Sequence, residues 1–209
     1  MRGAMSKGEL TRMRLLKCAE QAFSEKGYYE TQVSDIVKMG RVAKGTIYQY
    51  FKNKEDIFIT LLGMYVNQWE NAIAVNVRDF GGESPPLQYA ISFLSHRLIR
   101  TAEFFRENQE RTNLILRVSV GVNQSFEPVI RQFEDKILNV IIHDIKLGQK
   151  WGNIPGDVNL EMASNAILGA ILRLSYYFFV LHRKKFMKIP VEVMADGGVS
   201  LVAQMLRMK

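Results

Sequence analysis

The chain of 209 residues is poor in the residue types on which several classes of protein depend. Its single cysteine, Cys18, excludes an internal disulfide framework and fits a reducing cytoplasm. The three histidines are scattered without metal-ligand spacing, and the sequence contains no phosphate-binding loop, nucleophile motif or dinucleotide fingerprint. We therefore expect neither catalysis nor a metal or other cofactor.

Long apolar runs are also scarce. The first ten residues contain none, so we expect no secretory signal there. One stretch, residues 162–181, is apolar enough to be considered as a membrane span, but Arg173 lies near its centre. A charge in that position costs roughly 2.5 kcal/mol or more in hydrocarbon. We predict a buried helix of a cytoplasmic protein and no membrane partner.

Positive charge is concentrated at one end of the chain. Residues 1–54 contain eleven Lys or Arg and five Asp or Glu, whereas the remainder is nearly neutral at +1. A basic segment joined to a near-neutral one predicts an anionic polymer or surface as the partner of the first segment. The alternative, a basic face that is only solvated, stays open on charge alone.

Helical spacing of apolar residues extends through nearly the whole chain, and no strand-like alternation persists. The spacing predicts helices over residues 9–26, 32–39, 44–51, 53–80, 87–107, 110–120, 125–148, 160–183 and 191–207. The predicted breaks fall at residues 81–86, 121–124 and 151–156. Thr31 is the predicted N-cap of the second helix, and Asn53 with Asp56 approximates a capping box for the fourth.

The segment 31–54 has the pattern of a helix-turn-helix, with two short helices resting on a longer apolar one. In such a unit the second short helix enters the major groove. Within KGTIYQYF at residues 44–51, Ile47 and Phe51 are spaced to anchor that helix. Gln49 is the best base reader, since its amide can pair with adenine through two hydrogen bonds. Tyr48 and Tyr50 either donate to phosphate or are core aromatics.

The stretch 15–62 resembles the N-terminal domain of TetR-family transcription regulators. The matching residues are Ala22-Phe23, Gly27-Tyr28, Thr31, Asp35-Ile36, Lys44-Gly45-Thr46, Tyr48, Tyr50-Phe51 and Lys54-Glu55. The resemblance implies an all-α fold with a three-helix DNA-binding domain at residues 1–53 and a helical effector-binding and dimerisation domain at 54–209. It also implies three partners, which are double-stranded operator DNA, a small-molecule effector and a second copy of the chain.

The resemblance also assigns DNA contacts. It places Thr31, Lys44, Tyr48, Tyr50 and Lys54 at phosphates, and Ser34, Gly45, Thr46 and Gln49 at bases, with Gln32 and Arg41 beside them. Two residues depart from the family pattern: Arg41 occupies the usual place of a turn glycine, and Ala43 that of a Ser or Thr cap. Loss of a cap costs roughly 1 kcal/mol, and Arg41 offers a phosphate contact from the turn. The docking geometry therefore stays open.

The C-terminal part is rich in apolar and aromatic residues, which fits either a solid core or a core with an effector pocket for an apolar or amphipathic molecule. The candidate effector contacts are polar or aromatic residues on inward helical faces: Tyr65, Trp69, Phe93, Arg97, Phe104, Asn113, Phe133, Asn165, Arg173 and Tyr177. Arg173 either binds a ligand carboxylate or pairs with Glu134 or Glu103, and we favour the internal pair.

The last two long helices are the expected dimer interface, where two helices from each subunit would meet. The candidate contacts are Ala163, Ile167, Ala170, Ile171, Leu174, Phe178, Val199 and Val202. Ordinary packing within one chain is the alternative. Gly197-Gly198 has no evident role, and the basic run 182–188 is interpreted as a solvated loop.

The resemblance, taken with these patterns, implies a ligand-responsive transcriptional repressor. In this hypothesis, the effector shifts the helix predicted at 53–80 and changes the separation of the two recognition helices. The alternative function is a helical ligand-binding or adaptor protein whose basic N-terminal domain contacts another macromolecule.

Overall fold

The structure, a computed structural model, describes residues 6–80, 84–120 and 127–209. The chain divides into two compact units, Met1–Tyr65 and Val66–Lys209. The functional division expected after residue 53 stays a prediction. The boundary between the compact units lies later in the chain, and Ile57, Phe58 and Leu62, which precede it, are buried.

The first unit begins with α1 (Lys7–Lys26), which starts before the predicted Glu9. Its start is fixed by a capping box, in which Ser6 N donates to Glu9 Oε2 at 2.7 Å and Glu9 N donates to Ser6 Oγ at 3.2 Å. Helix α2 (Val33–Gly40) follows, and its N-cap is Gln32 rather than the predicted Thr31. The main-chain N–H of Gln32 donates to Asp35 Oδ2 at 3.0 Å.

The third predicted helix is shorter than expected. Helix α3 covers only Lys44–Ile47, and the chain then turns through Tyr50. The amide of Phe51 still donates to Ile47 O at 3.0 Å, so the turn keeps the anchoring pair together. Helix α4 (Lys54–Ile73) begins where Asn53 Oδ1 accepts from Asp56 N at 2.8 Å, which confirms the cap. The Asp56 carboxylate accepts from Lys52 N at 2.8 Å instead of completing the predicted capping box.

Aromatic side chains form the centre of the first unit. The ring centroid of Tyr28 lies 5.4 Å from that of Phe23 and 5.0 Å from that of Phe58. All three residues are buried, together with Leu15, Leu16, Ala19, Ile36, Ile47 and Phe51. This core holds α2 and α3, which are too short to be stable alone.

The second unit is built from the end of α4 and six further helices within the described residues. They are α5 (Leu87–Glu107), α6 (Gln109–Val120), α7 (Glu127–Lys150), α8 (Leu160–Tyr176), α9 (Arg183–Phe186) and α10 (Val191–Met205). Helix α5 has its predicted bounds. The predicted helix 53–80 ends at Ile73 and is followed by a 3₁₀ turn, Val77–Phe80, while α8 passes into a π-helical turn, Tyr177–Leu181. The breaks expected at 81–83 and 121–124, and the start at Ser125, lie outside the described residues.

Helix α10 packs on α5 and helix α8 packs on α7. Ala90, Phe93 and Trp151 form a buried cluster in the unit, with ring centroids of Phe93 and Trp151 5.6 Å apart. The segment Leu160–Leu181 is long and apolar enough to cross a membrane by length and composition alone. That test is weak evidence, since helices of globular proteins pass it as well. Arg173 lies within the segment.

Candidate functional site

The turn between α2 and α3 explains the sequence departure at Gly40-Arg41. A Cβ on Gly40 would lie 3.0 Å from Leu15 Cδ2, so this glycine permits close packing of α2 on α1. Arg41 then takes the left-handed conformation that ends α2, with φ of 48° and ψ of 47°. A residue with a side chain costs roughly 1–2 kcal/mol in that conformation. The glycine thus stands at position 40, where α2 packs closely on α1, and the left-handed position 41 is occupied by an arginine.

Most candidate DNA contacts lie on one open surface of the first unit. A depression enclosing about 670 Å³ of atom-free space, much of it open to solvent, is lined by Thr31, Gln32, Ser34, Lys44, Tyr48 and Lys54, together with Tyr29 and Val33. Lys44, Gly45 and Gln49 are exposed, and Tyr48 is 51% exposed. These residues are therefore placed where a nucleic acid has access to them.

Five candidates lie outside the lining of that depression: Gly45 and Gln49, which are exposed, and Arg41, Thr46 and Tyr50. Arg41 is exposed in the turn, whereas Thr46 and Tyr50 are half-buried. The hydroxyl of Tyr50 lies near the start of α1, 3.8 Å from the position of a Cβ on Gly8. Like every DNA contact assigned from sequence, these assignments stay predictions.

Two candidates use their side chains inside the unit. Thr31 is 1% exposed, and its hydroxyl is placed to donate to Gly27 O at 2.7 Å and Ala22 O at 3.0 Å. Lys54 Nζ donates to the main-chain carbonyls of Tyr28 and Thr31, both at 2.8 Å, and of Tyr29 at 3.2 Å. The predicted side-chain contacts of Thr31 and Lys54 with phosphate are therefore not supported by this geometry.

A large apolar cavity lies among the helices of the second unit. It encloses about 780 Å³ of atom-free space, part of it open to solvent. Helices α4, α5, α7, α8 and α10 all contribute lining residues, among them Trp69, Phe93, Ile141, Ile167 and Val202. The lining is almost entirely aliphatic and aromatic, so the cavity suits a ligand with a substantial apolar part.

One ion pair supplies the charge in this lining. Arg97 Nε donates to Asp144 Oδ2 at 3.0 Å, and a second guanidinium nitrogen donates to Asp144 Oδ1 at 3.1 Å. Arg97 also donates to the carbonyl of Ile73, and its guanidinium carbon lies 5.0 Å from the ring centroid of Phe93. Burial raises the pKa of Asp144, although the charge and hydrogen bonds of Arg97 oppose the shift. The cavity lining is thus apolar except for Thr101 and the Arg97–Asp144 ion pair.

Only some candidate effector contacts line this cavity. Trp69, Phe93 and Arg97 do, and Trp69 Nε1 donates to Thr101 Oγ1 at 3.2 Å. The others lie elsewhere in the chain: Tyr65, Phe104, Asn113, Phe133, Asn165, Arg173 and Tyr177. Asp144 is the polar lining residue that the sequence interpretation missed. Its position on the inward stripe of α7, between Ile137, Ile141 and Ile145, is the signal that would have identified it.

The interpretation of Arg173 was wrong. Its side chain is exposed on α8 rather than buried in an internal ion pair, and Glu103 pairs instead with Arg100 Nη1 at 2.6 Å. Asn165 is also exposed, and its amide donates to Glu161 O at 2.8 Å. Burying an unpaired arginine side chain costs free energy, and Arg173 avoids this cost because it lies on the exposed side of α8.

The candidate dimer residues of α8, of the π-helical turn and of α10 differ in what they line and in how far they are buried. Ile167, Ile171 and Val202 line the apolar cavity, Ala163 is buried, and Leu174 and Phe178 line a second cavity. Ala170 and Val199 are half-buried. The exposed sides of these helices carry other apolar residues, including Met162 at 71%, Val193 at 61% and Leu201 at 59% exposure.

The basic run 182–188 is mostly exposed, as a solvated segment would be. Arg183 within it pairs with Glu110 at 2.6 Å and donates to Gln109 Oε1 at 2.7 Å. Across residues 6–80, 84–120 and 127–209, no group of three or more His, Cys, Asp or Glu is placed to hold a metal ion.

Comparison with known proteins identifies the family of the chain. Residues 15–61 match the sequence profile of the bacterial regulatory proteins of the tetR family. The fatty acid metabolism regulator protein of Bacillus subtilis is 30% identical over 160 residues, which are 76% of this chain and 78% of that protein. The chain belongs to the TetR family. The BepR transcriptional repressor of Brucella suis is 24% identical over 82% of the chain and 81% of its own length.

Solved structures show that the resemblance extends through both units of this TetR-family chain. A protein from Syntrophomonas wolfei, described as a TetR-family transcriptional regulator, has a TM-score of 0.75 and 28% identity over 96% of this chain and 97% of its own. FadR of Bacillus subtilis, solved in complex with stearoyl-CoA, has a TM-score of 0.73 and 23% identity over 91% and 96%. The chain is a transcriptional regulator with a helix-turn-helix and a C-terminal helical domain.

Proposed function

We propose that this regulator is a cytoplasmic repressor that binds its operator as a homodimer and releases it on binding a long-chain acyl-coenzyme A. The observation that carries the effector class is the apolar cavity of the second unit, with its single charged pair Arg97–Asp144. A long acyl chain fits such a lining, because each buried methylene is worth about 0.8 kcal/mol. The fatty acid metabolism regulator and the stearoyl-CoA complex among its relatives support the same class.

The effector acts through α4 in this proposal. Trp69 and Ile73 of that helix line the cavity, and Ile57 and Phe58 of the same helix are buried in the first unit. A ligand changes DNA affinity only as far as it prefers one of two states. Coupling between two such sites usually amounts to roughly 5- to 150-fold in affinity.

Titration of labelled DNA from beside the gene tests the effector class. We expect stearoyl-CoA to weaken binding of the native fragment by at least about fivefold, while coenzyme A without an acyl chain leaves it unchanged. Specific DNA binding that is indifferent to every acyl-CoA would contradict the effector and leave the DNA-binding function intact.

The DNA-binding surface is tested with two exposed residues of the same short segment. Gln49→Ala should reduce the preference for native over scrambled DNA, since one good base contact is worth about 1–3 kcal/mol of discrimination. Lys44→Met is the matched control, because a phosphate contact is lost equally on both DNAs. A Gln49→Ala variant with full preference would remove Gln49 from the base-reading residues.

The dimer is proposed to form through the exposed apolar sides of α8 and α10. Met162→Glu and Leu201→Glu each place a charge on that surface, and we expect monomers of both variants by sedimentation equilibrium. Leu10→Glu in α1, where the leucine is 56% exposed, is the control and should stay dimeric. Dimers of unchanged stability in all three variants would place the interface elsewhere.

A further inference from the structure

A second apolar cavity lies beside the first in the C-terminal unit. It encloses about 490 Å³ of atom-free space, part of it open to solvent, and Phe178, Phe179 and Met194 are among its lining residues. Leu98, Thr101 and Ile171 line both cavities. These three side chains therefore form the partition between the two spaces.

The three partition residues are held differently. Thr101 Oγ1 accepts a hydrogen bond from Trp69 Nε1 at 3.2 Å, which fixes the position of that hydroxyl. Leu98 is an aliphatic side chain of α5 that is placed by packing, and α5 packs on α10. A Cβ on Gly198 would lie 3.2 Å from Leu98 Cδ1, which is tighter than ordinary contact. Leu98 therefore has its present position because residue 198 is glycine.

The neighbouring glycine shows that this is a local requirement. A Cβ on Gly197 would have no heavy atom within 4 Å, and Gly197 is exposed. Both glycines weaken α10 by the same intrinsic helix preference. Packing explains the glycine only at position 198. Because residue 198 has no Cβ, the partition residue Leu98 has room beside it.

We propose that Leu98, seated against Gly198, determines the length of acyl chain that the regulator accepts. This inference rests on the proposed acyl-CoA effector. The acyl chain fills the first cavity as far as the partition, and a longer chain has to displace Leu98 to enter the second. Affinity therefore rises with chain length by about fourfold per buried methylene, and the rise stops at the length that reaches Leu98.

Calorimetric titration with saturated acyl-CoAs from octanoyl to stearoyl tests the proposal in the full-length protein. Leu98→Ala joins the cavities, so we expect the rise to continue for two or more further methylenes. Gly198→Ala pushes Leu98 toward the first cavity, so the rise should stop at a shorter chain while the shortest acyl-CoAs bind as before. Gly197→Ala is the matched control and should reproduce the wild-type series.

The outcomes separate this inference from the function on which it rests. Binding of acyl-CoAs with the same length limit in wild type, Gly198→Ala and Gly197→Ala would overturn the role of Leu98 and leave the effector class standing. No binding of any acyl-CoA to the wild type would overturn both. If Leu98→Ala does not fold by circular dichroism, the comparison of the two glycine variants still decides, because each adds a single methyl group to the same helix.

Discussion

Lys54 offers the sharpest test of how the first unit is held together, because its ammonium group binds main chain rather than solvent. Its hydrogen bonds to the carbonyls of Tyr28, Tyr29 and Thr31 use the three donors that an ammonium has. Lys54 Nζ also lies 4.4 Å from the ring centroid of Tyr28. Burial lowers the pKa of Lys54, and Glu30 opposes this shift. The side chain thus ties the start of α4 to the loop between α1 and α2.

The expected cost of Lys54→Met follows from these contacts. A hydrogen bond to a charged group contributes about 1.5–3 kcal/mol when buried, but Lys54 is only half-buried and water replaces part of each bond. At about 0.5–1 kcal/mol for each of the three bonds, and about 0.5 kcal/mol for the ring contact, the variant should lose roughly 2–3.5 kcal/mol of unfolding free energy. Urea unfolding followed by circular dichroism measures this loss.

The salt dependence of DNA binding then distinguishes an internal role from a phosphate contact. Each phosphate contact contributes about 0.9 to the slope of log affinity against log salt. We expect Lys54→Met to leave that slope unchanged and Lys44→Met, at an exposed position, to reduce it by about 0.9. A Lys54→Met protein with full stability and a slope reduced by about one would refute this reasoning and restore Lys54 to the phosphate contacts.

Three further changes test other parts of the structure. Arg41→Gly should raise the unfolding free energy by roughly 0.5–1 kcal/mol, because relief of the left-handed conformation outweighs the added chain entropy; an unchanged or lower urea midpoint would contradict this. Burial, with Glu55 contributing, raises the pKa of Tyr28 to about 12, so its share of stability should be complete below pH 10 and lost as pH rises toward 12. A spectrophotometric titration in which Tyr28→Phe removes a tyrosine titrating near 10 would be inconsistent with that assignment. Because the pKa of Asp144 is raised in the folded state, the unfolding free energy should fall as pH rises from the ordinary pKa of 3.8 through the raised one. Asp144→Asn should remove this pH dependence. Identical pH profiles of the variant and the wild type in urea unfolding would show that the shift is absent.

The sequence predicted the helices well where apolar spacing and end signals coincide. Helix α5 runs over Leu87–Glu107 as expected, since Pro86 precedes it and its apolar stripe is continuous. Helix α2 was given the wrong cap, because Thr31 has the right chemistry but its hydroxyl is buried against the carbonyls of Ala22 in α1 and of Gly27. A competition between a local cap and a tertiary hydrogen bond is not visible in a single sequence.

The C-terminal site was predicted less completely for a different physical reason. Helices α8 and α10 are apolar on two sides, and composition does not indicate which side faces the cavity. Ile167, Ile171 and Val202 were therefore assigned to the dimer interface, although they line the cavity. Arg97 was identified as a candidate but its partner was not, because Asp144 lies 47 residues away on another helix. Long-range pairing of this kind depends on how the helices pack.

Helix α4 sets the condition that any effector mechanism has to satisfy. Lys54 and Trp69 both belong to this helix, which covers Lys54–Ile73. A ligand that fits the cavity without disturbing Trp69 or Ile73 has no preference between two positions of α4, and it shifts no equilibrium however tightly it binds. Because Trp69 Nε1 donates to Thr101, which lines both cavities, an acyl chain long enough to reach the partition also meets the contact that fixes Trp69. The chain length at which binding affinity stops rising should therefore be the length at which release of DNA becomes strongest.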